Sequence, residues 1–169
     1  MAQVFTLGLS KIEIGAIAGD GGMGTTLAAL GNTYQDTCNL TVEDPQDTEH
    51  YSEENEDPEV IISRAGKTVL NFSFIGPDFA ALAALTGGTI SGSGASEVLN
   101  QPNKLPTIEK SIKVTPEQGH VINIPRAKIS AKFDGNLSKT GIMLLKVTAT
   151  VMTPTKAGVS KLFLSKIPS

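Results

Sequence analysis

The chain has 169 residues, with 14 Lys and Arg against 17 Asp and Glu, and 40% of its residues are hydrophobic. A chain of this size buries about two thirds of its unfolded surface, and its near-zero mean hydropathy is typical of a globular protein rather than a disordered one. One cysteine and two histidines, Cys38, His50 and His120, exclude an internal disulfide and leave little for metal or acid–base chemistry, so we expect a single domain over residues 1–169 with no catalytic residues, no metal and no cofactor.

Neither export nor membrane insertion is expected. The first basic residue is Lys11, so the start of the chain lacks the basic region of a secretory signal. The longest uncharged stretch, residues 79–96, is broken by four glycines and does not suit a membrane-spanning helix of about 20 apolar residues. We therefore expect no membrane partner.

The amino-terminal part contains a glycine pattern between predicted strands at residues 4–9, 12–17 and 33–42. Gly19, Gly21 and Gly24 match the G-x-G-x-x-G pattern of dinucleotide-binding folds, and residues 25–30 could begin the helix that such a fold requires. A dinucleotide fold also needs repeated βαβ units, whereas an acidic segment and further strands follow. The pattern is therefore interpreted as a flexible connection.

The segment after residue 42 is strongly acidic and contains no Lys or Arg. Its nine acids are Glu43, Asp44, Asp47, Glu49, Glu53, Glu54, Glu56, Asp57 and Glu59. Since the whole chain carries −3 and this segment −9, the remainder carries +6. The order of the acids does not match a calcium-binding loop, and a solvated loop is the simplest interpretation. Long loops in compact domains are usually functional or disordered, so we predict an intermolecular arm at about residues 43–59, poorly ordered in the monomer and ordered on assembly.

One short helix is predicted at residues 77–86, after strands at residues 60–64 and 69–75. Pro77 suits a first helical position, and Gly87 and Gly88 provide a stop. Residues at helical spacing are expected to pack against the β core: Phe79, Leu82 and Ala83.

The carboxy-terminal half is predicted to be β-structure throughout. Residues 127–133 alternate strictly between apolar and polar, and Asp134, Gly135 and Asn136 are turn residues. A second strand at residues 142–152 completes a long hairpin, with further strands at residues 107–114, 121–124 and 161–166. The expected fold class is mainly β: an antiparallel sandwich or barrel with one short flanking helix and a long acidic loop.

Basic residues dominate the chain from Lys104 onward, where three acids stand against eleven basic residues: Lys104, Lys110, Lys113, Arg126, Lys128, Lys132, Lys139, Lys146, Lys156, Lys161 and Lys166. Surfaces of opposite charge are therefore expected. Only two of the fourteen basic residues are Arg and aromatics are few, so sequence-specific binding of nucleic acid is not expected.

The order of these elements resembles that of bacteriophage major tail tube proteins, and the related inner tubes of injection systems, over residues 4–167. A strand at residues 34–42 leads into the acidic excursion. Strands over residues 60–75 then run into the helix through TVLNFSFIGPDFAALAALTGG, residues 68–88. The strand-then-helix element is the most suggestive part of the resemblance.

The resemblance implies a structural virion protein that forms hexameric rings, stacked head to tail into a tube through which DNA passes. In that family the long loop between two early strands reaches the adjacent ring. The implied partners are other copies of the chain, tape-measure and tube-end proteins, a sheath if the tail is contractile, and DNA only transiently and without sequence specificity. The implied location is the virion tail, assembled in the bacterial host cytoplasm.

Four alternatives stay open from the sequence. They are an inner-tube protein of a contractile injection or secretion system, a head–tail joining or decoration protein, a β-sandwich binding module, and an enzyme whose site the sequence does not reveal.

Overall fold

The computed structural model describes residues 3–168, so the ends of the expected domain, Met1, Ala2 and Ser169, lie outside the described residues. Within that range the elements in chain order are β1 (Lys11–Gly15), β2 (Leu27–Ala29), β3 (Asn32–Thr33), β4 (Asn39–Val42), β5 (Gln46–His50), β6 (Val60–Arg64), β7 (Thr68–Ile75), α1 (Phe79–Thr86), β8 (Thr89–Ser91), a 3₁₀ turn (Gly94–Ser96), β9 (Val98–Asn100), β10 (Ile108–Thr115), β11 (His120–Gly135), β12 (Met143–Val151) and β13 (Phe163–Lys166). The fold is mainly β with antiparallel pairing and one short α-helix, as the sequence predicts.

Nine of these strands form one antiparallel sheet. Its main path runs β2-β1-β10-β11-β12-β7-β3, while β4 also pairs with β7 and β13 with β11. The predicted long hairpin is present as β11 and β12, which pair from Ala127↔Val151 to Gly135↔Met143. Its turn differs from the expectation, because Asp134 and Gly135 remain in the strand and residues 136–142 make the connection. The other two sheets are the separate hairpins β5–β6 and β8–β9.

The sheet curls around a single hydrophobic core. Strand alternation on β12 buries Leu145, Val147 and Ala149 on one face. The same cluster includes Ile12 of β1 and Leu70 of β7, although β1 and β7 stand four strands apart, about 19 Å in a flat sheet. The sheet must therefore bend back on itself, and β1 comes into contact with β3. The outcome is an incompletely closed barrel.

Helix α1 covers part of this core but begins later than the sequence predicts. Asp78 is its N-cap and its Oδ1 accepts a hydrogen bond from the Ala81 N–H at 2.7 Å. Gly87 ends the helix at φ 74°. The buried residues are Ala81, Leu82, Leu85 and Thr86.

The prediction that Phe79 packs in the core is wrong, because its side chain is 40% exposed. Phe79 is the first helical residue, and helical side chains lean towards the N-terminus, so its ring projects beyond the turn that touches the core. Ala83 is half-buried, whereas Leu82 lies in the core as expected. Pro77 precedes the cap and is not in the helix.

Three amino-terminal predictions are corrected by the structure. The expected strand at residues 4–9 is reduced to one bridge between Leu7 and Gln118. The expected strand at residues 33–42 is interrupted between β3 and β4. There the Thr37 hydroxyl accepts the hydrogen bond of the Ser73 N–H at 3.1 Å in place of a backbone carbonyl. The possible helix at residues 25–30 is strand β2 instead.

The glycine-rich segment is a close-packed connection. Gly21 and Gly24 are buried, and the Gly24 N–H donates to Ser111 Oγ at 2.9 Å. A Cβ built on Gly21 would lie 1.9 Å from Thr155 Oγ1. The glycines are therefore needed where this turn packs against residues 155–156, and a strand rather than a helix follows them.

Candidate assembly surface

The acidic segment is a β-hairpin rather than a loop. Strands β5 and β6 pair from Gln46↔Arg64 to His50↔Val60. We call residues 46–64 the arm. At the base of the arm, β4 pairs with β7 from Asn39↔Asn71 to Val42↔Thr68. The β4–β7 and β5–β6 pairs follow one continuous strand register. The predicted acidic arm at residues 43–59 therefore covers the root, the first strand and the turn of a ribbon that continues the main sheet.

Every residue of β5 and β6 is exposed. Val60, Ile61 and Ile62 retain 51%, 54% and 50% of their accessible surface. An isolated two-stranded hairpin is only marginally stable in water, and a run of exposed apolar residues marks a contact surface. The arm thus exposes an apolar run that the rest of the described chain does not cover.

The two faces of the arm differ in character. Residues directly opposite one another in an antiparallel pair share a face. One face carries acids beside an apolar residue, with the members Asp47, Glu49, Ile61 and Ser63. The other carries no acid, with the members Gln46, Thr48, His50, Val60, Ile62 and Arg64. Sequence composition could not separate these faces, because the division depends on the pairing register.

The nine acids are distributed along the arm and do not form one cluster. Glu43 and Asp44 lie at its root, while Glu53, Glu54, Glu56, Asp57 and Glu59 lie in the turn. Asp47 Oδ1 accepts a hydrogen bond from Ser63 Oγ at 2.5 Å. Glu49 accepts one from the Tyr51 hydroxyl, which raises the pKa of Tyr51. The two strand carboxylates are thus held by their neighbours, and five of the other seven acids lie in the turn at the far end.

The opposite end of the sheet carries an apolar and basic surface that the sequence reading missed. Four apolar side chains around the β11–β12 turn are at least 40% exposed: Phe133, Leu137, Ile142 and Met143. Lys132 and Lys139 lie in the same stretch. The signal was present in the sequence, because four large apolar residues flank a polar turn.

The arm and this turn leave the sheet at opposite ends. Strand β12 pairs with β7 from Leu144↔Ile75, beside the turn, to Thr150↔Val69. The arm joins β7 just before Thr68, beyond the Val69 end. A single chain therefore presents a negative arm at one end and a lysine-bearing apolar turn at the other.

Within residues 3–168, three of the eleven basic residues from Lys104 onward form ion pairs: Arg126, Lys146 and Lys156. Arg126 binds Glu109 through two hydrogen bonds, Nε to Oε2 at 2.8 Å and Nη2 to Oε1 at 3.0 Å. These hydrogen bonds hold the pKa of Glu109 below its usual range. Lys156 pairs with Asp20 and lowers the pKa of that carboxyl in the same way. The expected basic surface is therefore only partly neutralised by acids of the same chain.

A cavity of about 660 Å³ lies where the barrel fails to close. Its lining includes Ile12, Cys38, Leu40 and Leu70, and burial raises the pKa of the Cys38 thiol. Across residues 3–168, no three His, Cys, Asp or Glu side chains come together as a metal site would require. No helix in the same range has the length and hydropathy to cross a membrane. The cavity lining combines core residues such as Ile12 and Leu70 with polar residues such as Ser10 and Asn32.

Comparison of the chain with protein-family models and with curated proteins finds no match in either.

Proposed function

We propose that this chain is a structural virion protein that assembles into hexameric rings, which stack head to tail into a bacteriophage tail tube that conducts DNA. The resemblance in element order suggests this class, and a mainly β fold with one flanking helix is compatible with it. On this proposal the chain is not an enzyme, and its principal partner is another copy of itself.

The observation that carries the proposal is the unpartnered arm. Its apolar residues Val60, Ile61 and Ile62 are each about half exposed, and it extends from the sheet with an unbroken register. Contact with a neighbouring copy would bury these side chains, and burial contributes about 25 cal/mol for each Å² of apolar surface. Because a lone hairpin is marginally stable, the arm becomes fully ordered only on assembly.

The opposite charges at the two ends of the sheet support stacking of the chains in one direction. A negative arm at one end and lysines at the other allow each copy to bind the next in a head-to-tail arrangement. Such a heterologous contact repeats indefinitely along an axis. Ring closure around that axis converts the repeat into a tube.

Conduction of DNA requires that the channel wall does not retain phosphate. Each phosphate neutralised by Lys or Arg adds salt-dependent affinity, and the pairing of Arg126 and Lys156 with acids reduces the basic charge available for it. We expect a neutral or negative wall and no tight binding of linear DNA at physiological salt. Tight binding by the isolated protein would instead favour a DNA-packaging or joining role.

Electron microscopy of concentrated protein in negative stain tests the proposal directly. Six-fold rings or tubes with a visible channel are the expected result. Monodisperse globules over the whole concentration range would contradict it and would favour a binding module.

A further inference from the structure

The outer face of the sheet carries two lysines in an arrangement that is unfavourable in the isolated chain. Lys132 of β11 and Lys146 of β12 are directly opposite in the strand register, which places their Cβ atoms about 5 Å apart. Like charges in this position destabilise a sheet. The feature suggests that a further negative charge from outside the chain completes this surface.

The one acid beside this pair is insufficient to balance it. Asp134 lies on the same face, with Oδ2 4.0 Å from Lys146 Nζ, and both side chains are substantially exposed. Within residues 3–168, Lys132 makes no ion pair. Lys128 and Lys113 also make no ion pair in that range, but each lies opposite an acid in the strand register, Glu109 and Glu13 respectively. Lys132 and Lys146 lie opposite each other instead, so an added anion at this pair would relieve a like-charge contact.

We infer that the Lys132–Lys146 pair is the receptor for the turn of the arm from the next copy of the chain. This inference rests on the proposed function and assigns the contact between rings to particular residues. The ligands in the arm are the carboxylates of Glu53, Glu54 and Glu56, which lie in its turn. The strand acids Asp47 and Glu49 are engaged by Ser63 and Tyr51 and are less suited to the role.

Distances along the strands are consistent with this contact. From Val42 to His50 the ribbon extends about 26 Å, at roughly 3.3 Å per residue. Along β7, in the direction away from the arm, Ser73 lies about 17 Å from Thr68 at the same rise per residue. Ser73 is paired with Lys146 of β12. A copy displaced by roughly 45 Å along the strands would bring its lysine pair to the turn of its neighbour's arm.

Charge, rather than apolar contact, carries the match. Phe133 and Met143 are exposed, but they lie on the opposite face of the hairpin from the lysine pair, because Phe133 is paired with the buried Leu145 and Met143 with Gly135. Ion pairs between the lysines and the arm would direct the approach, and charges of this kind act chiefly on specificity and on the rate of association.

Charge reversal on each side separately, and then on both, tests the inference. E53K/E54K/E56K reverses the arm, and K132E/K146E reverses the receptor. Because every copy carries both elements, the five-residue combined variant restores attraction with the opposite sign. K104E/K161E is the matched control, since it makes the same charge change at two exposed lysines outside the strands.

The readout is the critical concentration for tube formation at low salt, measured by sedimentation and electron microscopy. Each one-sided variant is expected to raise it at least tenfold, while the combined variant and the control stay within about threefold of the wild type. A receptor variant that assembles like wild type, or a combined variant as defective as the worse of its parents, would overturn the inference. If the wild-type protein forms tubes and K132E/K146E assembles equally well, the inference fails but the proposed function stands. If the wild-type protein forms neither rings nor tubes, the inference and the proposed function both fail.

The variant K132Q/K146Q separates assembly from folding. Removing the like-charge pair should leave the melting temperature of the dissociated chain unchanged or higher, while assembly is weakened. A lowered melting temperature would show that the lysines stabilise their own chain, which contradicts a receptor role.

Discussion

The backbone N–H of Glu43 donates a hydrogen bond to the carbonyl oxygen of Lys67 at 2.8 Å. This bond continues the β4–β7 ladder past its last pair, Val42↔Thr68, and the pairing resumes at Gln46↔Arg64 in the same register. Pro45 has no N–H to donate, which accounts for the short gap between the two ladders. The direction of the arm is consequently set by the main sheet.

Leu82→Asp should destabilise the chain severely. Leu82 is 7% exposed within the core cluster, and an unpaired buried carboxylate costs roughly 3–5 kcal/mol. Phe79→Asp, on the same helix but exposed, is the matched control and should change the free energy of unfolding by less than about 1 kcal/mol. Chemical denaturation of the dissociated chain measures both. An L82D variant that melts normally but fails to assemble would place Leu82 at a contact between copies.

Gly21→Ala should destabilise the chain, while Gly19→Ala should not. Gly21 has φ 81° and no room for a Cβ beside Thr155, whereas a Cβ on Gly19 would have no atom within 4 Å. Strain of this kind costs on the order of 1–3 kcal/mol. Thermal melting compares the two variants, and equal melting temperatures would show that the glycine-rich turn is loosely packed.

Arg126→Gln should lower stability in a pH-dependent manner. Arg126 holds the pKa of Glu109 below its usual range, so the pair stabilises the fold above the unfolded pKa of a Glu, about 4.3, and loses its effect as pH falls through the lower folded pKa. Arg64→Gln on the exposed arm is the control. A drop of a few degrees at neutral pH should shrink below about pH 4. A difference in melting temperature that stays constant down to pH 3 would contradict this assignment.

The tube should have a short axial repeat. The strand lengths place successive receptors about 45 Å apart when strands are parallel to the axis, and closer when they tilt by about 40° as in barrels. Image reconstruction should therefore give a repeat between roughly 35 and 50 Å. A repeat above about 60 Å would be too long for the arm to reach the lysine pair.

The sequence was sufficient to predict the strands whose burial alternates and the helix with clear end signals. Residues 127–133 are strictly alternating, and the structure places them in β11 with Ala127 and Ile129 buried. Gly87 ends the helix as predicted. Local periodicity decides such elements, because one face of each must be buried.

The candidate surface depended on information that local sequence does not contain. On the arm, the strand register places Asp47 and Glu49 on one face and His50 and Val60 on the other. The opposition of Lys132 to Lys146 follows from the same cause on β11 and β12. Burial of Gly21 depends on Thr155, more than 130 residues away. Tertiary pairing, which composition cannot reveal, creates all three features.

Removal of the arm tests the central claim most directly. Residues 46–64 are replaced by Asn-Gly, a two-residue turn suited to a hairpin, which joins Pro45 to Ala65 where the Glu43–Lys67 hydrogen bond already holds the strands together. The core is untouched, so the variant should fold with a melting temperature within a few degrees of wild type. Electron microscopy should then show rings or tubes for the wild-type protein and neither stacked rings nor tubes for the variant. Normal tubes formed by the armless variant would contradict the account.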